Sequence, residues 1–396
     1  MKDLIKMCLG TIKRIPLFLS QLWVRSQDIY IFGAWYGQKF SDNSKALFLF
    51  ALKHTDKKCY WICKNRQLYK KLKSEGIPVF LTYSLRGILC QLSAGVAFSC
   101  TGDGDFCRFL LGNCMHVELW HGVGGGKKVG LDDREYREAA LNKRGVYYTK
   151  LEKHPLRKRY FVCTSEAMKQ VFKSAFLVPN NHFIYAGQPR NDMFFDEKYK
   201  IETFDPKRFA GKKIILYLPT HRKGGRVKMD MSRLLDLERL NQFCKENDCV
   251  FLIKKHFYHG KEYEDLEQYS NVYDLTHEVV DTNELLLLAD YLISDYSSCT
   301  ADYLLLKRPI FYYCYDFEEY ISEDREMYWD YDDITPGSRS YTFDELMCNL
   351  EDTITQNKDL FVEDRERVCN LFYAPSSQSI ASESILMQVE KLREQN

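Results

Sequence analysis

Three short segments carry the residue types that hold phosphate and move protons. In Tyr291-Leu-Ile-Ser-Asp295-Tyr-Ser297-Ser298-Cys-Thr300-Ala-Asp302 an apolar strand runs through a polar turn into a helix, with Ser297 or Ser298 where a helix N-cap belongs. Hydroxyls and free N–H groups gathered at the carboxyl end of a parallel strand make an anion cradle, which is where open α/β sheets bind ligands. Serines that only cap the helix are the alternative. His256 closes the run Val250-Phe-Leu-Ile-Lys-Lys255-His256 at another strand end. Protonated, its ring would donate to a diphosphate oxygen; neutral, it would be a loop histidine satisfied by its surroundings. The third segment, Val117-Glu-Leu-Trp120-His121-Gly122-Val-Gly-Gly-Gly126-Lys127-Lys128, sets a histidine between a strand and a glycine-rich loop. Gly122 and the glycines after it let backbone approach a ligand, while Lys127 and Lys128 neutralise charge. The spacing fits neither a Walker A loop nor GxGxxG, so a standard nucleotide fingerprint is absent.

The elements that must position these residues are short apolar runs separated by helical lengths. The first series is Tyr30-Ile-Phe, Tyr60-Trp-Ile-Cys, Val79-Phe-Leu, Val96-Ala-Phe and Val117-Glu-Leu-Trp. The second is Phe161-Val-Cys, Phe183-Ile-Tyr, Ile214-Ile-Leu-Tyr-Leu, Val250-Phe-Leu-Ile, Tyr291-Leu-Ile and Ile310-Phe-Tyr-Tyr. Strands this short and apolar imply parallel sheets covered on both faces, in two Rossmann-like domains. The expected layout is a first domain over 28–190, a polar linker over 191–212, a second domain over 213–370 and a C-terminal helix over 371–396. Ala381, Ile385, Val389 and Leu392 form that helix's apolar stripe.

Composition narrows the class. With 396 residues, 45% apolar and 28% charged, the chain has material for large cores and too little net charge for disorder. A formal charge of +1 gives no global field for nucleic acid. Fourteen cysteines are scattered without a CxxC pair, which suits buried free thiols in a reducing compartment better than a disulfide framework. No run is long and apolar enough to span a bilayer, and Lys13 and Arg14 interrupt the one candidate signal region. Residues 1–27 mix Lys2, Lys6, Lys13, Arg14 and Arg25 with Leu4, Ile5, Leu9, Phe18, Leu22 and Trp23, as an interfacial helix on an anionic membrane would. A helix packed on the domain is the alternative. Residues 127–159 hold eleven Lys or Arg against five acids, which suits acidic headgroups or simply a solvated face.

Taken together, the segments resemble the CDP-glycerol glycerophosphotransferase family, which builds teichoic-acid and related polyol-phosphate polymers. The residues that carry the resemblance are Trp120-His121-Gly122, Gly187-Gln-Pro189-Arg190-Asn191-Asp192, Leu218-Pro219-Thr220-His221-Arg222, Lys255-His256 and Ser294-Asp295-Tyr296-Ser297-Ser298 with Asp302. Arg308-Pro309, Asp316, Tyr320, Arg325, Tyr328 and Pro336-Gly337 continue the order, and Gly37 with Ser41-Asp42-Asn43 matches an early motif. The similarity spans about residues 28 to 375. It implies an α/β, GT-B-like fold of two Rossmann-like domains with the active site in the cleft between them. It implies His121 as general base, and His256, Ser297 and Ser298 on the donor diphosphate. Asp295, Arg222, Arg190 and Lys255 are further donor-side candidates, with Gly122, Lys127 and Lys128 on the acceptor or loop side. Two departures bear on acceptor and donor polyol: Val123-Gly-Gly-Gly-Lys127 stands where the family commonly has Thr-Pro-Leu-Lys, and Phe257 stands where it has proline.

The implied reaction moves glycerol phosphate, or a related polyol phosphate, from CDP-glycerol or CDP-ribitol to a hydroxyl of a polyprenyl-linked glycan or polyol-phosphate acceptor, releasing CMP. The expected location is peripheral, on the cytoplasmic face of an anionic cell membrane. No tightly bound cofactor or metal is expected, and a loosely held Mg²⁺ on the diphosphate is compatible with the sequence. The rivals are a GT-B glycosyltransferase using a nucleotide sugar and an inactive membrane-associated assembly module.

Overall fold

The computed structural model describes residues 15–123, 126–139, 159–220, 222, 231–255, 266, 268–323 and 326–395. His256, residues 1–14 of the basic N-terminus and residues 140–158 of the positive block lie outside the described residues. The chain divides into two compact units, the first Met1–His121, Gly130–Phe195 and Pro375–Asn396, the second Gly122–Val129 and Asp196–Ala374.

In the first unit seven strands form one sheet: β1 (Ser26–Phe32), β2 (Lys58–Cys63), β3 (Val79–Leu81), β4 (Ala94–Ser99), β5 (Met115–Glu118), β6 (Arg159–Cys163) and β7 (Phe183–Tyr185). Their order is β3-β2-β1-β4-β5-β6-β7, and every pair is parallel. Parallel strands need crossovers, and the helices Asp42–His54, Arg66–Ser74, Leu85–Ser93 and Glu166–Phe176 supply them. One face of the sheet buries Phe32, Phe48, Trp61 and Phe98, the other Ile31, Ile62, Ala97 and Phe106. Each such aromatic contributes roughly 1.5–3 kcal/mol by leaving water, so the strand ends are held on a rigid floor.

The second unit repeats the plan with β8 (Lys213–Leu218), β9 (Cys249–Ile253), β10 (Val272–Asp274), β11 (Tyr291–Ser294), β12 (Ile310–Tyr313) and β13 (Ser338–Ser340), ordered β10-β9-β8-β11-β12-β13 and again all parallel. Both sheets therefore reverse strand order once, between β1 and β4 and between β8 and β11. Ligands bind outside the carboxyl ends of strands at such reversals.

The boundaries differ from the expected ones. The first unit runs through Phe195, and the polar stretch 196–212 belongs to the second rather than spanning a linker. Phe204 and Phe209 are buried there, and the Glu284 carboxylate accepts from Tyr199 Oη at 2.6 Å and from the N–H groups of Glu202 and Thr203 at 2.7 and 2.8 Å. A charged run looks like linker until the buried acid that satisfies it is known. The terminal segment also divides: the helix Val362–Phe372 belongs to the second unit, while Ala381–Glu394 returns to the first, burying Ile385 and Val389 in its core. Asp192 Oδ1 accepts the Ala381 N–H at 2.6 Å, and Oδ2 the Ser382 N–H at 3.1 Å, capping that helix.

Among the described residues no helix is long and apolar enough to cross a membrane. The described cysteines are free; most are buried, and Cys348 is exposed.

Candidate active site

In the first unit the site is built at the β1/β4 reversal. After β1 the chain turns through Trp35 and Tyr36, both left-handed at φ 48 and 57. Such a conformation costs a non-glycine residue roughly 1–2 kcal/mol. Asp105, fully buried, offsets that cost: its Oδ1 accepts the Tyr36 N–H at 2.7 Å, and its Oδ2 accepts the N–H groups of Cys100 and Thr101, each at 3.0 Å. Cys100, the residue after β4, turns its carbonyl to His121, whose Nδ1 lies 2.8 Å away. A carbonyl can only accept, so Nδ1 is assigned the proton and Nε2 the lone pair. The ring packs beside Trp35 and Trp120, with centroids 5.4 and 4.2 Å away.

The peptide that carries His121 is braced from several sides. Trp120 is itself left-handed, at φ 58. Its N–H donates to Glu118 Oε1 at 3.2 Å, and its carbonyl accepts from Asn43 Nδ2 at 2.9 Å. The His121 carbonyl accepts from Arg190 Nη1 at 2.7 Å, and the same guanidinium pairs with Asp42 at 2.9 Å. Arg190, expected on the donor side, thus stands in the first unit as a brace for the histidine turn. Asn43 and Asp42 explain the early Ser-Asp-Asn motif in the same way.

Glu118 was not among the sequence candidates. It points into the protein from β5, 1% exposed, with Oε2 2.6 Å from Ser99 Oγ. Ser99 Oγ also lies 2.7 Å from His116 Nε2, and His116 Nδ1 lies 3.1 Å from Asp103. Arg159 on β6 stands 3.7 Å from the Glu118 carboxyl, and Asp105 adds a like charge. Burial pushes Glu118 up to about 8, above its ordinary 4.5. Its signal in the sequence was an acid inside an apolar strand of a doubly covered sheet, where a charge must be paired or neutral. Because the folded state holds this proton more tightly than the unfolded chain, the stability it contributes is full below about pH 4.5 and is lost as pH rises through about 8. Thermal melts across that range are expected to show a decline that Glu118→Gln, which cannot ionise, largely removes. Parallel declines in the two proteins would show that Glu118 is not the group responsible.

In the second unit the sequence candidates cluster at the β8/β11 reversal. The helix after the serine turn, Cys299–Leu304, is only six residues long. Ser298 holds its N-cap position, but its side chain makes no capping bond, and Cys299 N–H reaches Ser297 Oγ at a long 3.4 Å. The Ser298 side chain therefore does not cap this helix. The loop after His121 comes to it: a Cβ placed on Gly122 would lie 3.4 Å from Ser298 Oγ. The far end of that loop is pinned. Lys127 bridges Met327 in antiparallel fashion, the Tyr328 N–H donates to Gly126 O at 2.6 Å, and the Lys128 N–H donates to Glu326 O at 2.9 Å. Lys128 Nζ adds an exposed ion pair with Glu326 at 3.0 Å. Gly126 is required here, since at φ 69 a Cβ would stand 2.5 Å from Ile334 Cδ1.

Beneath the turn lies a buried ionic base. Asp295 Oδ1 accepts the N–H groups of Thr220 and Tyr296, at 2.9 and 2.7 Å, and Arg222 Nη1 stands 3.0 Å from Asp295 Oδ2. Arg222 also forks onto Asp316, Nε to Oδ2 at 2.5 Å and Nη2 to Oδ1 at 2.9 Å. Tyr296, Tyr315 and Tyr320 surround it at 5.0, 5.3 and 5.3 Å, and Lys127 Nζ stands 5.1 Å from the Tyr320 centroid. Burial alone would weaken the guanidinium's charge, but Asp295 and Asp316 outweigh it and hold the proton more firmly than usual. Asp295 and Arg222 thus shape the serine turn from below. Lys255, 7% exposed, has its Nζ 3.6 Å from Asp274 and its N–H on Thr276 Oγ1, tying β9 to the segment after β10. The structure thus gathers Gly122, Lys127, Asp295, Ser297, Ser298 and Arg222 in one unit, and His121 with Arg190 in the other.

Comparison with known proteins shows the fold and the family. The chain is 26% identical over 368 residues to a teichoic acid glycerol-phosphate transferase of Staphylococcus aureus, covering 90% of this chain and 92% of that protein. It is 30% identical over 241 residues to the S. aureus teichoic acid ribitol-phosphate polymerase TarL, but spans only 41% of that longer protein. Among solved structures it resembles the wall teichoic acid polymerase TagF, with a TM-score of 0.74 at 23% identity, covering 99% of this chain and 96% of that one. The fold is therefore GT-B-like. The model of the CDP-glycerol:poly(glycerophosphate) glycerophosphotransferase family matches residues 17–390, and the chain belongs to that family.

Proposed function

We propose that His121 is the base with which this CDP-glycerol phosphotransferase of cell-wall polymer synthesis moves glycerol phosphate onto an acceptor hydroxyl. The observation that supports this most directly is the Nδ1 bond to the Cys100 carbonyl at 2.8 Å, which leaves Nε2 with its lone pair. Nε2 takes the hydroxyl proton as the acceptor oxygen attacks the β-phosphorus of CDP-glycerol. The bond from that phosphorus to the bridging oxygen breaks, its electron pair leaves with CMP, and the proton passes from the imidazole to product or solvent. A positioned general base typically contributes about 10²–10⁴ in rate. Charge growing on the leaving phosphate is met by the Ser297 and Ser298 hydroxyls, by Lys127 and, from outside the described residues, by His256.

The acceptor is proposed to sit on an anionic membrane. Supporting this, Phe18, Leu22 and Val24 are 60%, 71% and 86% exposed beside the half-exposed Trp23. Arg25 meanwhile locks the segment to the domain through the carbonyls of Ser20, Gln91 and Leu110. One experiment tests the whole reading: purified protein is mixed with CDP-glycerol, CDP-ribitol or a UDP-sugar and with a lipid-linked acceptor in anionic vesicles. The expected result is CMP release from CDP-glycerol, an acceptor heavier by one glycerol phosphate, and protein that sediments with the vesicles. UDP release without turnover of a CDP-polyol would refute the transfer chemistry; activity on a soluble acceptor with no vesicle binding would refute the membrane part.

A further inference from the structure

The turn after β1 displays an aromatic ring that the fold itself does not use. Tyr36 is 60% exposed, although its backbone sits at φ 57, where bulky side chains rarely go. The protein holds it there: Thr101 Oγ1 and Asp105 Oδ1 both accept its N–H, at 3.0 and 2.7 Å. One side of the ring lies on Gly104, where a Cβ would stand only 2.6 Å from Tyr36 Cδ1. That glycine lets the ring rest on backbone while the rest of it is open to solvent. A tyrosine serving the core would be buried, and a surface tyrosine of no consequence would adopt an unstrained φ. Backbone strain that presents a side chain in this way is found at ligand clamps.

Location narrows what the ring meets. Its neighbour Trp35 packs 5.4 Å from the His121 ring, and Lys39 Nζ lies 5.2 Å from the Trp35 centroid. The turn is thus part of the first unit's rim around the imidazole. In the reaction proposed above, the group that approaches this imidazole is the acceptor. An aromatic face carries negative quadrupole charge and attracts the polarised C–H bonds on the flat side of a pyranose. An open-chain polyol phosphate offers no such face. Lys39 adds a cation for a phosphate carried by the same ligand. We propose that Tyr36 forms an acceptor subsite, stacking the pyranose of a sugar-bearing, phosphate-linked acceptor whose hydroxyl His121 deprotonates. This rests on the assignment of His121 as base.

The test uses the full chain and two acceptors, one ending in a sugar and one ending in glycerol phosphate. Tyr36→Gly removes the ring and suits the left-handed backbone, so folding is retained; Tyr36→Phe keeps the ring. Tyr36→Gly is expected to raise KM for the sugar acceptor about tenfold, with kcat and the KM for CDP-glycerol unchanged. It should leave the glycerol phosphate acceptor unaffected, and Tyr36→Phe should match the wild type. Unchanged KM for both acceptors overturns the subsite. So does a rise confined to CDP-glycerol, which would put cytosine on the ring, and so does a Phe variant as impaired as the Gly variant. In each of those cases the wild type still transfers, so the proposed reaction stands and only the subsite falls; a wild type inactive toward every acceptor would remove the proposed function itself.

Discussion

His121→Ala is expected to lower kcat for glycerol phosphate transfer by about 10²–10⁴-fold while leaving KM for CDP-glycerol and the melting temperature close to wild type. The rate falls because Nε2 is the lone pair left available once Nδ1 is committed to the Cys100 carbonyl. Stability changes little because the ring is half-buried and makes one neutral hydrogen bond, worth roughly 0.5–1.5 kcal/mol. His121→Asn sharpens the test. Its amide can still donate toward Cys100 but cannot accept a proton at the position of Nε2, so it should fold like the wild type and lose the rate all the same. Steady-state kinetics of both variants, with calorimetry alongside, separates the outcomes. Full transfer in either variant would mean the proton leaves by another route. A large drop in melting temperature in both would mean the ring is structural.

Most of the architecture was readable because parallel strands covered on both faces must be apolar throughout. Every apolar run singled out in the sequence lies in a strand, although Val117-Glu-Leu-Trp ends as strand at Glu118 and breaks into the left-handed Trp120. The strands that escaped were edge strands: β13 reads Ser-Arg-Ser and β10 Val-Tyr-Asp, too short and polar to show a pattern. At the site, His121, Gly122 and the serine turn were readable because their chemistry is local to one loop. The partners of the charged residues were not readable, because a charge does not announce its partner. Arg190 finds Asp42 across 148 positions and Arg222 finds Asp316 across 94. Asp105 was missed for the opposite reason: its work is to accept backbone N–H groups at the ends of β1 and β4, and no spacing rule encodes that.

Arg222→Leu is expected to destabilise the second unit by about 3–5 kcal/mol and to abolish transfer with it. The cost comes less from the lost attraction than from what remains. Asp295 is fully buried and Asp316 mostly so, and removing the guanidinium strands both carboxylates away from water without a counter-charge. Asp295 in turn holds the N–H groups of Thr220 and Tyr296, so its displacement disturbs the turn that presents Ser297 and Ser298. Arg222→Lys should recover only part of the loss, since an ammonium keeps the charge but cannot fork onto Asp316 while reaching Asp295 and the Thr220 carbonyl. The readout that isolates the second unit is amide exchange in β8 and β11. Exchange there should accelerate in the Leu variant, with β1 and β4 in the first unit unaffected. Unchanged exchange together with a raised KM for CDP-glycerol would instead make Arg222 a direct ligand of the donor, held in place by two carboxylates rather than holding them.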